Sequence, residues 1–278
     1  MNLIEQMARV REKHTNTLNA KNQSTNKTEI QHTTCILPPW SDNSRAVPNG
    51  FLRSALFGVN GKKGERKFLK SAPIAALNGI EIYYTGEQLD QADLDVWENI
   101  LHVMRNQELD RHCCISAYAL LKLSGITDTG KNRNTLFARI ERLRANSLRI
   151  TQGRHTYIGG LIDEAYKDDA TNKWIISLNP RLLHLFSSAQ YTQVDWNVRR
   201  ALSQNSLAQW LDGFYSSHSY PFKIKVETLH KLCGSQIVRL SHFRDELKKA
   251  LNLVVSVRKK NGYKFEFEID KNGLVSVK

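Results

Sequence analysis

Two stretches of this chain read as copies of one unit. Residues 115–125 run I-S-A-Y-A-L-L-K-L-S-G and residues 224–234 run I-K-V-E-T-L-H-K-L-C-G. They coincide at Ile115/Ile224, Leu120/Leu229, Lys122/Lys231, Leu123/Leu232 and Gly125/Gly234. Each copy leads into a basic amphipathic helix and then into strand-like, turn-punctuated sequence. Helix, short turn, basic helix and hairpin follow one another in a winged helix-turn-helix. The spacing therefore predicts an α+β protein with two tandem winged-helix domains, each a helix-turn-helix with a β-hairpin wing.

At 278 residues the chain has room for two domains and a tail. The division expected is a flexible N-terminal tail over 1–44, winged-helix domain 1 over 45–190 and winged-helix domain 2 over 191–278. A hydrophobic share of 41% suits folded cores, and a formal charge of +13 asks for a polyanionic partner, nucleic acid or an acidic membrane. The charge is uneven. Residues 80–110 hold eight acids and one base, residues 130–160 seven bases and one acid, and residues 223–278 thirteen bases and six acids. Basic charge gathers on the two repeat units, where a DNA-facing surface would need it. No apolar run approaches the ~18 residues of a membrane span and no signal peptide opens the chain, so the expected setting is soluble and cytoplasmic, with no membrane partner. The four cysteines, Cys35, Cys113, Cys114 and Cys233, show no zinc spacing, in keeping with a reducing compartment.

Local patterns order the rest. Residues 2–14 can form a short helix, followed by a polar stretch with few large apolar residues. A strand is expected over 80–85 and an amphipathic helix over 93–104, with Leu94, Trp97, Ile100, Leu101 and Met104 on one face. The first repeat helix spans 116–124, capped by Ser116, and the first basic helix 132–146. Strands at 148–151, 156–164 and 174–178 follow, and a short helix at 181–186 closes the first half. In the second half, helices are expected at 194–202 and 206–216, a strand at 220–226, the repeat helix at 227–232 and the basic helix at 235–252. Residues 253–257 and 263–269 then form a hairpin whose tip, Arg258-Lys259-Lys260-Asn261-Gly262, offers three bases to phosphate.

At 100° per residue, Leu136, Phe137, Ile140 and Leu143 share one side of the first basic helix. Asn134, Ala138, Glu141, Arg142 and Ala145 share the other, with Thr135 and Arg139 on its flank. Arg144 falls on the apolar side and takes a structural role. Arg and Asn are the side chains that meet guanine and adenine edges in pairs of hydrogen bonds. In the second helix Leu240, Phe243, Leu247, Ala250 and Leu251 bury together, while Val238, Ser241, His242, Asp245 and Lys249 face away, with Arg239 on the flank. The DNA contacts expected are Lys131, Arg133, Asn134, Thr135, Arg139, Arg142 and Arg154 in the first unit. In the second they are Gln236, Arg239, Ser241, His242, Lys248, Lys249, Arg258, Lys259 and Lys260.

Catalytic patterns are missing. Gly58-Val59-Asn60-Gly61-Lys62-Lys63 lacks the spacing of a phosphate loop, and the nine histidines include no H-E-x-x-H or H-x-H pair. Tyr83-Tyr84 sits in an alternating strand, and the acids of 87–98 read as a solvated helix start. No enzyme activity, cofactor or metal is expected.

Three further segments carry a family resemblance. R-A-V-P-N-G-F-L-R-S-A-L-F at 45–57, Y-T-G-E-Q-L at 84–89 and Y-S-S-H-S-Y-P-F-K-I-K-V-E-T-L-H-K-L-C-G-S at 215–235 resemble the TrfA-type plasmid replication initiators, in order, from about residue 37 onward. The resemblance implies two winged-helix domains that bind double-stranded origin iterons as a monomer, in equilibrium with a dimer. It also implies origin opening and recruitment of the host initiator, helicase and sliding clamp. Family members can carry a Q-L-S-L-F-like clamp peptide before the P-W. Here residues 33–37 read T-T-C-I-L, without the glutamine and phenylalanine. A winged-helix transcriptional regulator binding a promoter operator as a dimer is the alternative, and a nicking enzyme with a tyrosine nucleophile is a third reading.

Overall fold

The computed structural model describes residues 36–59, 66–108, 112–187 and 189–278. The helix expected over 2–14, the polar stretch after it, residues 33–35 of the clamp-like segment and Gly61-Lys62-Lys63 lie outside those residues. β1 (Ser44–Pro48), the single turn α1 (Asn49–Leu52) and β2 (Phe57–Gly58) come first. The tail expected over 1–44 is too long. Leu37 and Trp40 are buried, and the Trp40 indole donates to His102 Nδ1 at 3.0 Å, so residues 37–44 are held against the core.

β3 (Phe68–Ile74) pairs antiparallel with β4 (Ile80–Glu87), and β5 (Leu89–Asp90) runs into α2 (Gln91–Met104). Asp90 starts that helix: its carboxylate accepts from the N–H groups of Ala92 and Asp93, while the Asp93 carboxylate accepts from the Asp90 N–H. The acids there are thus caps and buried partners, not a solvated helix start. The apolar face expected of α2 is the buried one.

The first copy comprises β6 (Cys113–Ser116), α3 (Ala117–Leu123) and α4 (Gly130–Arg144). Two hairpins follow where three strands were expected: β7 (Ser147–Gln152) with β8 (His155–Gly159), then β9 (Glu164–Asp168) with β10 (Lys173–Ser177). The strand expected over 156–164 breaks at Gly160, whose carbonyl accepts from the Tyr157 hydroxyl at 2.6 Å, and Leu161 and Ile162 turn into the core. β7 pairs with β4, giving a four-stranded sheet of order β3-β4-β7-β8. β10 pairs with both β6 and β9, giving a separate sheet of order β6-β10-β9.

A 3-10 segment, Pro180–Phe186, leads to β11 (Tyr191–Asp195), which pairs with β1. Residues 194 and 195 are therefore strand, and Asp195 caps α5 (Trp196–Ala201). α6 (Ser206–Ser216), β12 (Ile224–Lys225), α7 (Val226–Leu232), α8 (Leu240–Lys260), β13 (Phe267–Ile269) and β14 (Leu274–Val277) complete the chain. Their sheet has the order β12-β14-β13. The two copies thus share one wiring: the strand before the repeat helix pairs with the last arm of the later hairpin, which is the central strand. The repeated isoleucines hold equivalent places in it, Ile115 opposite Trp174 and Ile224 opposite Val275.

The largest correction concerns residues 253–260. They continue α8 and form no hairpin arm. Leu247, Leu251, Val254 and Val257 recur at helical spacing and are all buried, so packing overrides the strand preference of Val. Asn261-Gly262 ends the helix. Gly262 is left-handed at φ +82°, its N–H bonds Lys259 O at 3.2 Å, and the Tyr263 N–H bonds Arg258 O at 3.0 Å, which is a Schellman closure. The hairpin uses the second Asn-Gly, Asn272-Gly273, where Gly273 N–H bonds Asp270 O at 3.1 Å.

The described residues belong to one compact unit with two hydrophobic clusters, one from Leu37 to Val194 and one from Val198 to Val277. Val59 and Leu77 of the first half pack on the second cluster. Polar ties cross the seam: Arg199, 2% exposed, bonds Asp95 at 2.6 Å and lies 3.2 Å from Glu98, and the Trp210 indole donates to Ser54 O at 3.0 Å. Removing one member of such a buried pair typically costs about 3–5 kcal/mol, because the other charge is left unpaired.

Candidate nucleic-acid interface

The repeated glycine explains why the two units look alike. After α3, Gly125 takes φ +69°; its N–H bonds Lys122 O at 3.0 Å, and the Ile126 N–H bonds Leu121 O at 2.9 Å. After α7, Gly234 takes φ +66°, with Gly234 N–H to Lys231 O at 3.1 Å and Ser235 N–H to His230 O at 3.2 Å. Both are Schellman closures, and a residue with a Cβ is strained at that φ. Leu120 and Leu229 are the buried anchors beneath, whereas Lys122 and Lys231 are exposed.

Each turn is also held by the opposite half. The Trp196 indole donates to Leu123 O at 3.0 Å, and a Cβ on Gly125 would overlap the Arg200 guanidinium. Val59 N–H donates to Cys233 O at 2.9 Å, and a Cβ on Gly234 would stand 3.2 Å from that of Ala55. The two turns that aim the basic helices are therefore fixed relative to each other.

On α4, Leu136, Ile140 and Leu143 are buried and Phe137 packs edge-on to Trp174 at 5.1 Å. Thr129 caps the helix by accepting from Asn132 N–H at 3.2 Å. Lys131, Asn134, Thr135, Ala138, Glu141 and Ala145 are exposed. Arg133 forks onto Asp128 at 2.6 and 2.7 Å and holds that carboxyl below its usual range.

Arg139 and Arg142 depart from the expected reading face. Arg142, its side chain 10% exposed, bonds Asp93 at 2.7 Å and Glu87 at 3.0 Å; Arg139 reaches Asp90 at 3.2 Å and Asp93 at 3.3 Å. Arg66 joins the same carboxylates, bonding Asp93 at 3.0 Å and also contacting Asp90. Burial, with the charge of Asp90, pushes Asp93 above the usual carboxylate range against three guanidiniums. These arginines fasten α4 to the start of α2. Arg144, assigned to the apolar side, is exposed instead.

On α8, Phe243, Leu247, Ala250, Leu251, Val254 and Val257 are buried, while Leu240, expected among them, is 37% exposed at the first turn. Arg239, Ser241, His242, Lys248 and Lys249 are exposed as expected, with Lys249 bonded to Glu246 at 2.8 Å. Gln236 is exposed in the turn before the helix.

Arg258 is removed from the phosphate set. It bonds Asp212 at 2.5 Å, contacts the Ser216 hydroxyl and lies 5.5 Å from the Phe265 ring centre, tying α8 to α6. Lys259 and Lys260 are exposed, but on the last helical turn and not at a hairpin tip. The actual tip in that half carries Lys271, which the Asn272-Gly273 pair could have revealed. In the first half the β9–β10 tip carries Asp168 and Asp169, flanked by Lys167 and Lys173. Arg154 is exposed at the β7–β8 turn, on the four-stranded sheet, away from either three-stranded one.

Among the described residues no cluster of His, Cys, Asp and Glu could hold a metal, and no helix is long and apolar enough to cross a membrane. The arrangement is that of a mixed α+β protein in which each of two basic helices follows a repeat helix, and the strand before that repeat helix belongs to a three-stranded sheet of matching order. Its fold is shared with domains 2 and 3 of RctB, which superpose at TM-score 0.54 and 13% identity over 83% of this chain and 96% of that one. A structure of the Pi initiator protein in complex with iteron DNA overlaps at TM-score 0.49, with 13% identity over 66% of this chain and 89% of that one. The chain belongs to the TrfA protein family, whose model matches residues 2–262. It is 28% identical over 233 residues to the plasmid replication initiator protein TrfA of Escherichia coli, covering 80% of this chain and 59% of that protein. It thus spans well under two thirds of the length of that relative.

Proposed function

We propose that this chain is a sequence-specific plasmid replication initiator built from two tandem winged helices, divided near residue 190, that binds iteron direct repeats in double-stranded DNA. The observation carrying this reading is the wiring repeated in both halves, β6-β10-β9 and β12-β14-β13, each interrupted in sequence by a repeat helix and a basic helix with an exposed polar face. Family membership supports the origin as the place where it acts. α4 would meet base edges through Asn134 and Thr135, and α8 through Arg239, Ser241 and His242. Lys131, Lys248 and Lys271 suit phosphates. Because both turns are held across the seam, the two helices would read successive major grooves at a fixed spacing.

Within the same proposal the protein acts in the bacterial cytoplasm without chemistry of its own. It binds as a monomer in exchange with a dimer, opens the adjacent A·T-rich DNA and recruits the host initiator and helicase. A footprint on origin DNA tests the core of it. Protection should span about two helical turns of each repeat, and moving the half-sites apart by half a turn should abolish it. Permanganate reactivity beside the repeats tests opening. A covalent protein–DNA adduct on supercoiled origin DNA with a divalent metal would instead establish a nicking enzyme.

A further inference from the structure

We propose that Val238 reads a thymine: its isopropyl group seats against the C5-methyl in the major groove, beside the base edge met by Arg239. This rests on the DNA-reading function above and adds to it a named base and contact. Val238 is 96% exposed, more than any other large hydrophobic side chain among the described residues. It stands one residue before Arg239, which occupies the N-cap position of α8. The backbone beneath it is tied down on both sides: the Ile237 N–H bonds the Ser235 hydroxyl at 3.3 Å, and the Ile237 carbonyl lies 2.8 Å from His230 Nε2. The His230 ring in turn packs edge-on to buried Phe243 at 4.7 Å. An apolar group is thus held out into solvent from a fixed turn.

Its surroundings choose the occupant. Arg239, Ser241 and His242, which follow it at the start of α8, are all exposed, a cationic and hydrogen-bonding setting suited to a duplex and not to an apolar protein groove. In the major groove only thymine offers a methyl group, so a β-branched apolar side chain there selects one base of four. The corresponding position of the first copy, before the N-cap Thr129, is Asp128, which is occupied by Arg133. The two copies therefore differ in kind at this point.

The experiment uses the full chain and a duplex it selects from a random-sequence pool. Each thymine is replaced in turn by deoxyuridine, which removes only the C5-methyl, and Kd is read by fluorescence anisotropy. One replacement should weaken the native protein about fourfold, the worth of one buried methyl-sized group. Val238→Ala should bind parent and replaced duplexes alike at that position, while both proteins share one melting temperature. Identical deoxyuridine profiles for the two proteins would overturn the assignment. So would an unchanged profile combined with loss of plasmid maintenance, which would place a protein on Val238. If the native chain selects no preferred sequence, the DNA-reading function itself fails, and this inference with it.

Discussion

The two copies share an apolar skeleton and use their charged residues differently. In the first, Arg139 and Arg142 lie against Glu87, Asp90 and Asp93, and Arg133 against Asp128, so most guanidiniums of α4 are engaged within the protein. In the second, Arg239, Ser241, His242 and Lys248 stand exposed over residues 239–248, Arg244 is exposed while donating to Asp270 O at 2.9 Å, and the ion-paired arginine, Arg258, sits at the far end. A basic helix is thus no measure of a reading surface. What counts is whether acids from another element reach its cations first. Under the proposed function, the first copy would read through small polar groups on a helix pinned by ion pairs, and the second through exposed cationic and apolar groups on a longer one.

The sharpest way to break this contrast is Arg142→Ala against Arg239→Ala. Losing Arg142 leaves buried Asp93 with one cation fewer and should cost about 3 kcal/mol of folding stability, measured by denaturant unfolding. Adding Asp93→Asn should restore part of that. Arg239→Ala should leave stability unchanged and relax preference at one base pair by ~1–3 kcal/mol, measured by competition with mismatched duplexes. The reverse pattern would exchange the roles of the two helices.

Acid should weaken the first half through His102. Burial, with the charges of Arg45 and Arg105, holds its pKa down at about 4 from the ordinary 6.5. The folded value lies below the unfolded one, so the contribution of the neutral ring is complete above pH 6.5 and is lost as pH falls towards 4. It amounts to at most ~3 kcal/mol. Comparing unfolding at pH 7.5 and pH 5 should show a larger loss in the parent than in His102→Gln, whose amide can still accept from Trp40.

The repeat glycines offer a smaller effect. Gly125→Ala and Gly234→Ala should each cost about 1–2 kcal/mol, because a Cβ is strained in the left-handed region. Gly234→Ala should cost more, since Arg200 can swing away from residue 125 whereas Ala55 and the Gly58 backbone cannot leave residue 234. Thermal melts of the two variants would reverse that order if the seam is looser on the α7 side. Smallest of all, Lys248→Ala should weaken specific and random duplexes alike and lower the salt slope by ~0.9, one phosphate's worth.

Much of this was legible in the residues. The period of 3.6 placed α2, α4 and α6 within a few residues, and Ser116 announced the start of α3 through its short side chain. Such signals are local: a cap or an apolar stripe needs only its neighbours along the chain. The candidate site was legible as two helices and much less so by residue. Arg142 looked outward on a wheel because its partners stand 49 and 55 positions earlier in sequence, on α2 and at the end of β4.

The sequence by itself determined the duplication, the basic helices and the glycine that closes each repeat, because each depends on local backbone geometry. Only the tertiary structure decided that residues 253–257 stay helical, which Asn-Gly turns the chain, and which arginines remain free. Those outcomes depend on burial against distant side chains and on ion pairs across the fold, and no window of neighbouring residues contains them.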